Sequence, residues 1–299
     1  MAYGYTDVSI PLRHEVGEVE RPTIWRLEWS EDTERHVVVR SLRPETPDAF
    51  FDRLRRKVGG SPERDAFVFV HGYNVDFLEA TRRTAQMAYD LDFRGAPVLF
   101  SWPSGGRIED YLEDENNVQW AESGLTALLD RLRRESGARV IHLIGHSMGS
   151  RALTGALIAA AGEGRPVRPG EAVFRHLILA APDIDADYFR RDILPKLRRT
   201  GTRVTLYASD ADAALKASKK VHGYRRAGDA KGGPLVEPGM ETIDASGLDP
   251  SALGHSYFAD VGSVLKDLRA ILVSDLDADR RPALQAAFLG GLKYWRLPV

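Results

Sequence analysis

The chain of 299 residues contains no cysteine. That excludes disulfide cross-links, thiolate metal ligands and a cysteine nucleophile, without fixing the compartment. It also lacks an excess of either charge. Lys plus Arg number 41 against 43 Asp plus Glu, for a net charge of -2, and no block of like charges stands out. Neither a nucleic-acid surface nor a basic membrane-binding face is expected. No apolar run is long enough to span a bilayer. The opening, Met1-Ala-Tyr-Gly-Tyr5, has neither the basic nor the apolar segment of a secretory signal. The sequence as it stands therefore reads as cytoplasmic, with export open if a leader has been removed. Phosphate-binding glycine fingerprints follow none of the predicted strands, and no metal-ligand cluster is apparent, so neither a cofactor nor a metal is expected.

The sequence has 43% hydrophobic and 28% charged residues, an ordinary mix for a protein with a sizeable core. The length allows one large α/β domain or two small ones. No repeat, low-complexity segment or long linker divides it, so residues 1–299 are read as one domain. Thr23–Trp29 alternates apolar with polar residues, and His36–Leu42 follows a polar turn. These two predict an antiparallel hairpin at one edge of a sheet, within an N-terminal extension of residues 1–45. From Ala66 onward the pattern changes. Ala66–Val70, Pro97–Trp102, Val140–Ile144, His176–Ala181 and Arg203–Ala208 are continuous apolar runs, the pattern of strands buried on both faces. Helical spacing separates them, as in Phe77, Ala80, Thr84, Met87 and Leu91. Met240–Ala245 is a weaker last strand, followed by a helix with Val261, Val264, Leu265, Leu268 and Leu272. Strands alternating with helices imply a mainly parallel sheet covered on both faces. In such sheets the site lies beyond the carboxyl ends of the strands. The tail, residues 274–299, is expected to add a helix and to pack Tyr294-Trp295 on the body.

The chain is organised around Val140-Ile-His-Leu-Ile-Gly-His-Ser-Met-Gly-Ser-Arg151. An apolar strand enters Gly145-His-Ser-Met-Gly149 and a small-residue helix leaves it. This is the Gly-x-Ser-x-Gly nucleophile elbow, which holds a serine at the apex of a strained strand-to-helix turn. Flanking glycines let the strand and helix approach closely, and the helix N-terminus favours developing negative charge.

Serine needs an adjacent base, itself oriented by an acid. The elbow architecture supplies them in chain order serine, acid, histidine. Three histidines follow Ser147: His176, His222 and His255. His176 begins a strand, at the wrong end of the sheet. His222 lies in the charged, glycine-rich loop 216–233. His255, in Gly254-His-Ser-Tyr257, is the expected base. Asp183, Asp210 and Asp212 all follow strand ends, where an aspartate also serves as a helix N-cap. Asp212 is the preferred acid, with Asp210 and Asp183 as alternatives. The oxyanion donors are expected at the Met148 N–H and in the loop after the Ala66–Val70 strand, at Tyr73 or Asn74. His71 is expected to bond backbone in that loop rather than to catalyse.

Phe69-Val-His-Gly-Tyr-Asn74, Ser101-Trp-Pro-Ser104, Gly145-His-Ser-Met-Gly-Ser-Arg151, Ala180-Ala-Pro-Asp-Ile-Asp185, Tyr207-Ala-Ser-Asp-Ala-Asp-Ala-Ala-Leu215 and Gly254-His-Ser-Tyr257 together resemble the bacterial α/β-hydrolases of a largely uncharacterised esterase/lipase group. Val8-Ser-Ile-Pro11 and Glu20-Arg-Pro22 look like the same group, so the resemblance runs from about residue 8 to about residue 272. It implies an α/β-hydrolase fold and a serine carboxylic-ester hydrolase. It also favours Asp212, since the group's aspartate stands three residues after a Tyr-x-Ser and just before an Ala-Leu. The chain departs from many lipases in having His-Gly-Tyr-Asn where they have His-Gly-Gly-Gly. Members often carry an export or lipoprotein signal, which this sequence does not show.

Only about twenty residues separate Asp183 from the next strand, enough for one helix and short connections. No large cap domain is therefore expected. The pocket is assigned to the stretches 104–119, 184–197 and 216–239. Trp102, Tyr111, Tyr188 and Phe189, with Tyr73 and Phe77, are the candidate linings, and the substrate is a small-molecule ester with a short or medium acyl chain. A thioesterase, amidase or acyltransferase would use the same parts. A non-catalytic binding module on this fold is the competing class, and the completeness of the triad argues against it. Oligomeric state is not legible.

Overall fold

The computed structural model describes residues 1–22, 28–105, 110–162, 172–210, 215, 218, 223–248 and 262–298. Asp212, His222 and His255 lie outside the described residues, as does the Thr23–Leu27 part of the expected hairpin.

Among the described residues, eight strands form the main sheet: β3 (Asp65–Val70), β4 (Ala96–Phe100), β5 (Val140–His146), β6 (Phe174–Ala180), β7 (Arg203–Ala208), β8 (Glu241–Asp244), β9 (Gln285–Leu289) and β10 (Leu292–Arg296). Their order is β4-β3-β5-β6-β7-β8-β10-β9. Every pairing is parallel except the final one, between β10 and β9.

Period-two alternation along these strands builds two cores. Val68, Val70, Leu143, Leu177, Leu179, Val204 and Leu206 face one side. There they meet α1 (Pro47–Gly59), α3 (Tyr111–Glu135), α4 (Gly149–Ala161) and α6 (Leu194–Arg199), which follows the short α5 (Ala186–Tyr188). Phe67, Phe69, Ile144, Ile178, Tyr207 and Ile243 face the other side, against α2 (Phe77–Asp90) and α7 (Gly262–Leu272). Both faces of the sheet are thus covered, and the strands read as continuous apolar runs for that reason. Helix starts carry their own signals. Asp76 caps α2 by accepting the Glu79 N–H at 2.7 Å, and Thr46 caps α1 ahead of Pro47. Between β6 and β7 the chain forms only helical turns over residues 186–199, so no cap domain is inserted there.

Two expectations are corrected. The strand near His36–Leu42 is β2 (Val38–Glu45), and among the described residues its antiparallel partner is β1 (Tyr3–Ser9), which was not expected. The two form a separate two-stranded sheet instead of an edge of the main one. Tyr3 packs its ring 5.1 Å from Phe50 of α1, which anchors the ribbon to the body. The helical tail expected over residues 274–299 is instead the β9–β10 hairpin, after a single 3-10 turn at Ala278–Arg280. Gly290 and Gly291 take φ of 56° and 80° between paired Leu289 and Leu292. Positive φ at both loop residues is what a tight two-residue hairpin turn demands, and it outweighs the local alanine content. Tyr294 is buried, as expected, on the inner strand of this hairpin.

Candidate active site

The carboxyl ends of β3, β5, β6 and β7 converge on Ser147. The residue sits between β5 and α4 at φ 48° and is 3% exposed. Positive φ strains a residue with a side chain, and such outliers persist only where the surroundings impose them. Here the Ser147 N–H donates to the Ala180 carbonyl at 2.9 Å, and its carbonyl accepts the Asp183 N–H at 3.2 Å. The motif glycines sit in close quarters, Gly149 the more severely. A β-carbon on Gly149 would collide with the His71 carbonyl, and one on Gly145 would lie 3.0 Å from the Ser150 Cα. Met148 is fully buried at the N-cap of α4, so its N–H belongs to the set that a helix leaves without an internal acceptor.

The loop after β3 comes against this turn. A β-carbon on Gly72 would stand 3.0 Å from Ser147 Cβ and 2.8 Å from His146 Nδ1. Asn74 takes φ 56°, a conformation asparagine tolerates better than most residues. Tyr73 is buried, with its ring edge-on to Tyr111 at 5.3 Å. His71 bonds as expected. Its Nδ1–H donates to the Gly72 carbonyl at 2.8 Å. Its Nε2 accepts from the Ser101 hydroxyl at 3.0 Å and the Trp102 N–H at 3.2 Å. Burial lowers its pKa to about 4, so the ring is neutral and its basic nitrogen is occupied. Asp114, buried in the first turn of α3, accepts from Ser104 Oγ at 2.7 Å and the Gly105 N–H at 2.8 Å. It thereby pins the loop after β4.

Two of the candidate acids, Asp183 and Asp210, lie among the described residues. Asp183 is buried, and its carboxylate is saturated. Oδ1 meets Ser218 Oγ at 2.6 Å and Arg226 Nε at 3.0 Å. Oδ2 meets Tyr111 Oη at 2.5 Å and Arg151 Nη2 at 3.1 Å. Four donors occupy this carboxylate. Asp210 is exposed at the end of β7, its N–H donating to Ser246 Oγ at 3.0 Å. Its neighbour in the motif, Asp212, lies outside the described residues together with His255. His176 is at the opposite end of the sheet, bonded to Asp275 at 2.8 Å.

The candidate lining aromatics differ in their surroundings. Phe189 is wholly buried in the core below the site, because the turn at residues 186–199 directs it inward. Tyr188, its neighbour, is half exposed at the surface. Tyr111 spends its hydroxyl on Asp183 and Ser218. Burial raises the pKa of that hydroxyl, and the adjacent carboxylate raises it further. Trp102 stacks on His71 at 5.3 Å and lines a different cavity. This cleft of about 2040 Å³ lies between the β1–β2 ribbon, α1, α2 and the β4 edge; Phe77 lines it, but Ser147 and Met148 do not. Arg151, Ser218 and Arg226 were not anticipated as part of the site. The signal was available for Arg151 at least, which stands one helical turn after Ser147, where a partly buried charge favours a partner.

A mainly parallel sheet covered on both faces, with a strained serine at a strand-to-helix turn, defines the α/β-hydrolase class. The chain belongs to the family described as alpha/beta hydrolase of unknown function (DUF900), whose model matches residues 46–274. No curated protein sequence matches it. Among solved structures it is similar to an uncharacterized protein from Bacillus cereus ATCC 10987, at 13% identity and a TM-score of 0.44. That match covers 73% of this chain and 61% of the other, so it spans less than two thirds of the Bacillus chain. An alpha-beta serine hydrolase homologue from Coxiella burnetii matches at 17% identity and a TM-score of 0.33, covering 71% of this chain and 85% of that one. The RedJ thioesterase of the prodiginine pathway in Streptomyces coelicolor matches at 17% identity and 0.36, covering 71% and 90%. Among the described residues, no helix is long and apolar enough to cross a membrane.

Proposed function

We propose that this chain is a serine hydrolase of carboxylic esters with short or medium acyl chains. The observation that carries the reading is Ser147, held at φ 48° at the start of α4 between Gly145, where a β-carbon would be tight, and Gly149, where one would collide with backbone. In this reading Ser147 Oγ attacks the acyl carbonyl while His255 takes its proton, and Asp212 orients His255 and stabilises its charged form. The Met148 N–H and a donor from the Tyr73-Asn74 loop hold the oxyanion. The C–O bond to the alcohol then breaks as His255 returns the proton to the leaving oxygen. Water repeats the sequence on the acyl-enzyme, releasing the acid. The packing of Gly72 against Ser147 supports the second donor's place, and the lack of an inserted cap between β6 and β7 supports the shorter acyl chains.

The test is hydrolysis of a chromogenic ester series, acetyl to long-chain, by the protein and by Ser147→Ala. The expected result is turnover of short or medium esters and a loss of about 10⁶ in kcat for the variant. Equal activity in both proteins would remove Ser147 as nucleophile. Preference for long, insoluble chains would overturn the substrate assignment.

A further inference from the structure

We propose that Arg151 is a positioning residue that aims the oxyanion donor at Met148, acting through Asp183. This rests on the serine-hydrolase reading of Ser147.

The peptide group joining Ser147 to Met148 is planar and trans, since the described chain has no cis bonds. Its C=O and N–H therefore point in opposite directions. Fixing the Ser147 carbonyl fixes where the Met148 N–H points. The Ser147 carbonyl accepts from the Ser150 N–H of its own helix at 3.1 Å and from the Asp183 N–H at 3.2 Å, and Asp183 is the donor that reaches it from outside α4. Asp183 sits on a turn that is itself strained. Ala181 has φ 44°, and Gly228 packs so tightly that a β-carbon there would lie 2.6 Å from the Ala181 carbonyl carbon. Two adjoining residues at positive φ will relax unless something restrains them.

Arg151 supplies the restraint from within the same helix. One turn after Ser147, its Nε donates to the Asp183 carbonyl at 2.5 Å and its Nη2 to Asp183 Oδ2 at 3.1 Å. Its Nη1 is paired with Glu115 of α3. The path from Ser147 through α4 to Arg151, on to Asp183 and back to Ser147 is a closed ring. Ser218, Arg226 and Tyr111 hold the Asp183 carboxylate from the other sides. Only a planar fork spans the carbonyl and carboxylate of one residue, so lysine is not a substitute.

The experiment compares Arg151→Lys with Glu115→Gln, which removes the ion pair behind Arg151 and leaves the ring intact. Both are assayed well below their unfolding temperatures, and wild type is first labelled with a fluorophosphonate. An oxyanion donor is worth about 10²–10³ in kcat. Arg151→Lys is expected to lose at least about tenfold in kcat with KM within about threefold, part of that full donor effect. Its affinity for a boronic acid, a tetrahedral anionic mimic, should fall in parallel with kcat. Glu115→Gln is expected to retain kcat within about twofold, as a pair remote from the reacting atoms should. Equal losses in the two variants, or unchanged boronic acid affinity in Arg151→Lys, would assign Arg151 a purely structural role and overturn the proposal. Wild type that fails to label at Ser147 would overturn the parent reading and this one with it. Should Arg151→Lys not fold, Arg151→Gln serves in its place. A wild-type Asp183 amide exchanging with solvent at the rate of free peptide would overturn the ring on its own.

Discussion

Gly72 and Ser147 are in contact such that no side chain fits between them. A β-carbon on Gly72 would stand 3.0 Å from Ser147 Cβ and 2.8 Å from His146 Nδ1. The loop after β3 and the turn after β5 therefore share one surface, and the second oxyanion donor is carried on that loop in the proposed mechanism.

Gly72→Ala should displace the loop by a few tenths of an ångström. Overpacking of this kind typically costs about 1–3 kcal/mol. Because the displaced atoms adjoin the nucleophile, kcat should fall at least about tenfold, more than the stability loss alone would cause. Gly59→Ala is the control. Nothing lies within 4 Å of a β-carbon there, and Gly59 is the last residue of α1. That variant should gain up to about 1 kcal/mol and keep full activity. Thermal unfolding and ester turnover on both variants check the pair.

The three aspartates make separable predictions. Asp212→Asn should lower kcat by about 10⁴ with the fold intact, as loss of a triad acid does. Asp210→Asn, at an exposed position, should change kcat by less than about threefold, in keeping with small surface effects. Asp183→Asn should cost stability, about 3–5 kcal/mol, because it leaves the buried Arg226 guanidinium without its carboxylate and Arg151 with Glu115 alone, and its kcat loss should be nearer the tenfold expected of Arg151→Lys than the loss of a triad acid. Kinetics and denaturant midpoints on the three variants distinguish these outcomes. A large kcat loss in Asp210→Asn alone would move the acid to that position.

Much of the fold was legible because the physics is local. Strands such as Ala66–Val70 are apolar throughout because helices cover both faces of the sheet, and that pattern survives in sequence. The elbow was legible because Gly145 and Gly149 answer short-range collisions. The pairing of β1 with β2 was not, since about thirty residues intervene and nothing local encodes a partner. The tail was misread as a helix although Gly290-Gly291 carried the turn signal. The burial of the candidate pocket aromatics was not legible for another reason. Phe189 and Tyr188 are neighbours with opposite fates, and only the tertiary path of residues 186–199 decides which one is buried. The Arg151–Asp183 ring joins two motifs that were each recognised, but their contact depends on strand order.

Acid should destabilise the protein before the carboxylates titrate. His142 and His176 stack at 5.4 Å near the amino ends of β5 and β6, both buried. Burial lowers the His176 pKa to about 4, only partly offset by Asp275. Burial also holds His142 well below 6.5, with the His176 charge adding to it, and its Nδ1 has no hydrogen-bond partner among the described residues. Folded, both rings are neutral. Unfolded, they take up protons below about pH 6.5. The unfolded state therefore binds more protons between about pH 6.5 and 4, and stability falls as pH falls through that window. For His176 alone the loss approaches about 3 kcal/mol at the lower end. His71, also lowered to about 4 by burial, adds to it. Unfolding midpoints from pH 7.5 to 4.5 should show this slope, and His142→Gln should flatten it. A midpoint independent of pH across the window would refute the assignment.

The last helix is held by a charged pair with no access to water, and its response to substitution should be strongly non-additive. Asp267 of α7 and Arg281 are each 0% exposed in their side chains and lie 2.8 Å apart. Tyr207 of β7 donates to the same Asp267 oxygen at 2.5 Å, and Arg281 also meets Glu241 of β8 at 2.5 Å. Burial raises the Asp267 pKa, and Arg281 and Tyr207 counteract it. Removing one partner strands the other charge, so Arg281→Met should cost about 3–5 kcal/mol. The double variant Arg281→Met with Asp267→Leu should recover most of that, because two apolar side chains need no partner there. It still leaves the Tyr207 hydroxyl without its acceptor, at a cost of about 1–3 kcal/mol that Tyr207→Phe in the same background should return. Because α7 opens directly after the stretch that carries His255, the single variant should also lose ester turnover at temperatures where it remains folded. Denaturant unfolding of the three variants tests the coupling, and a double variant no more stable than Arg281→Met alone would mean that the pair does not act as a unit.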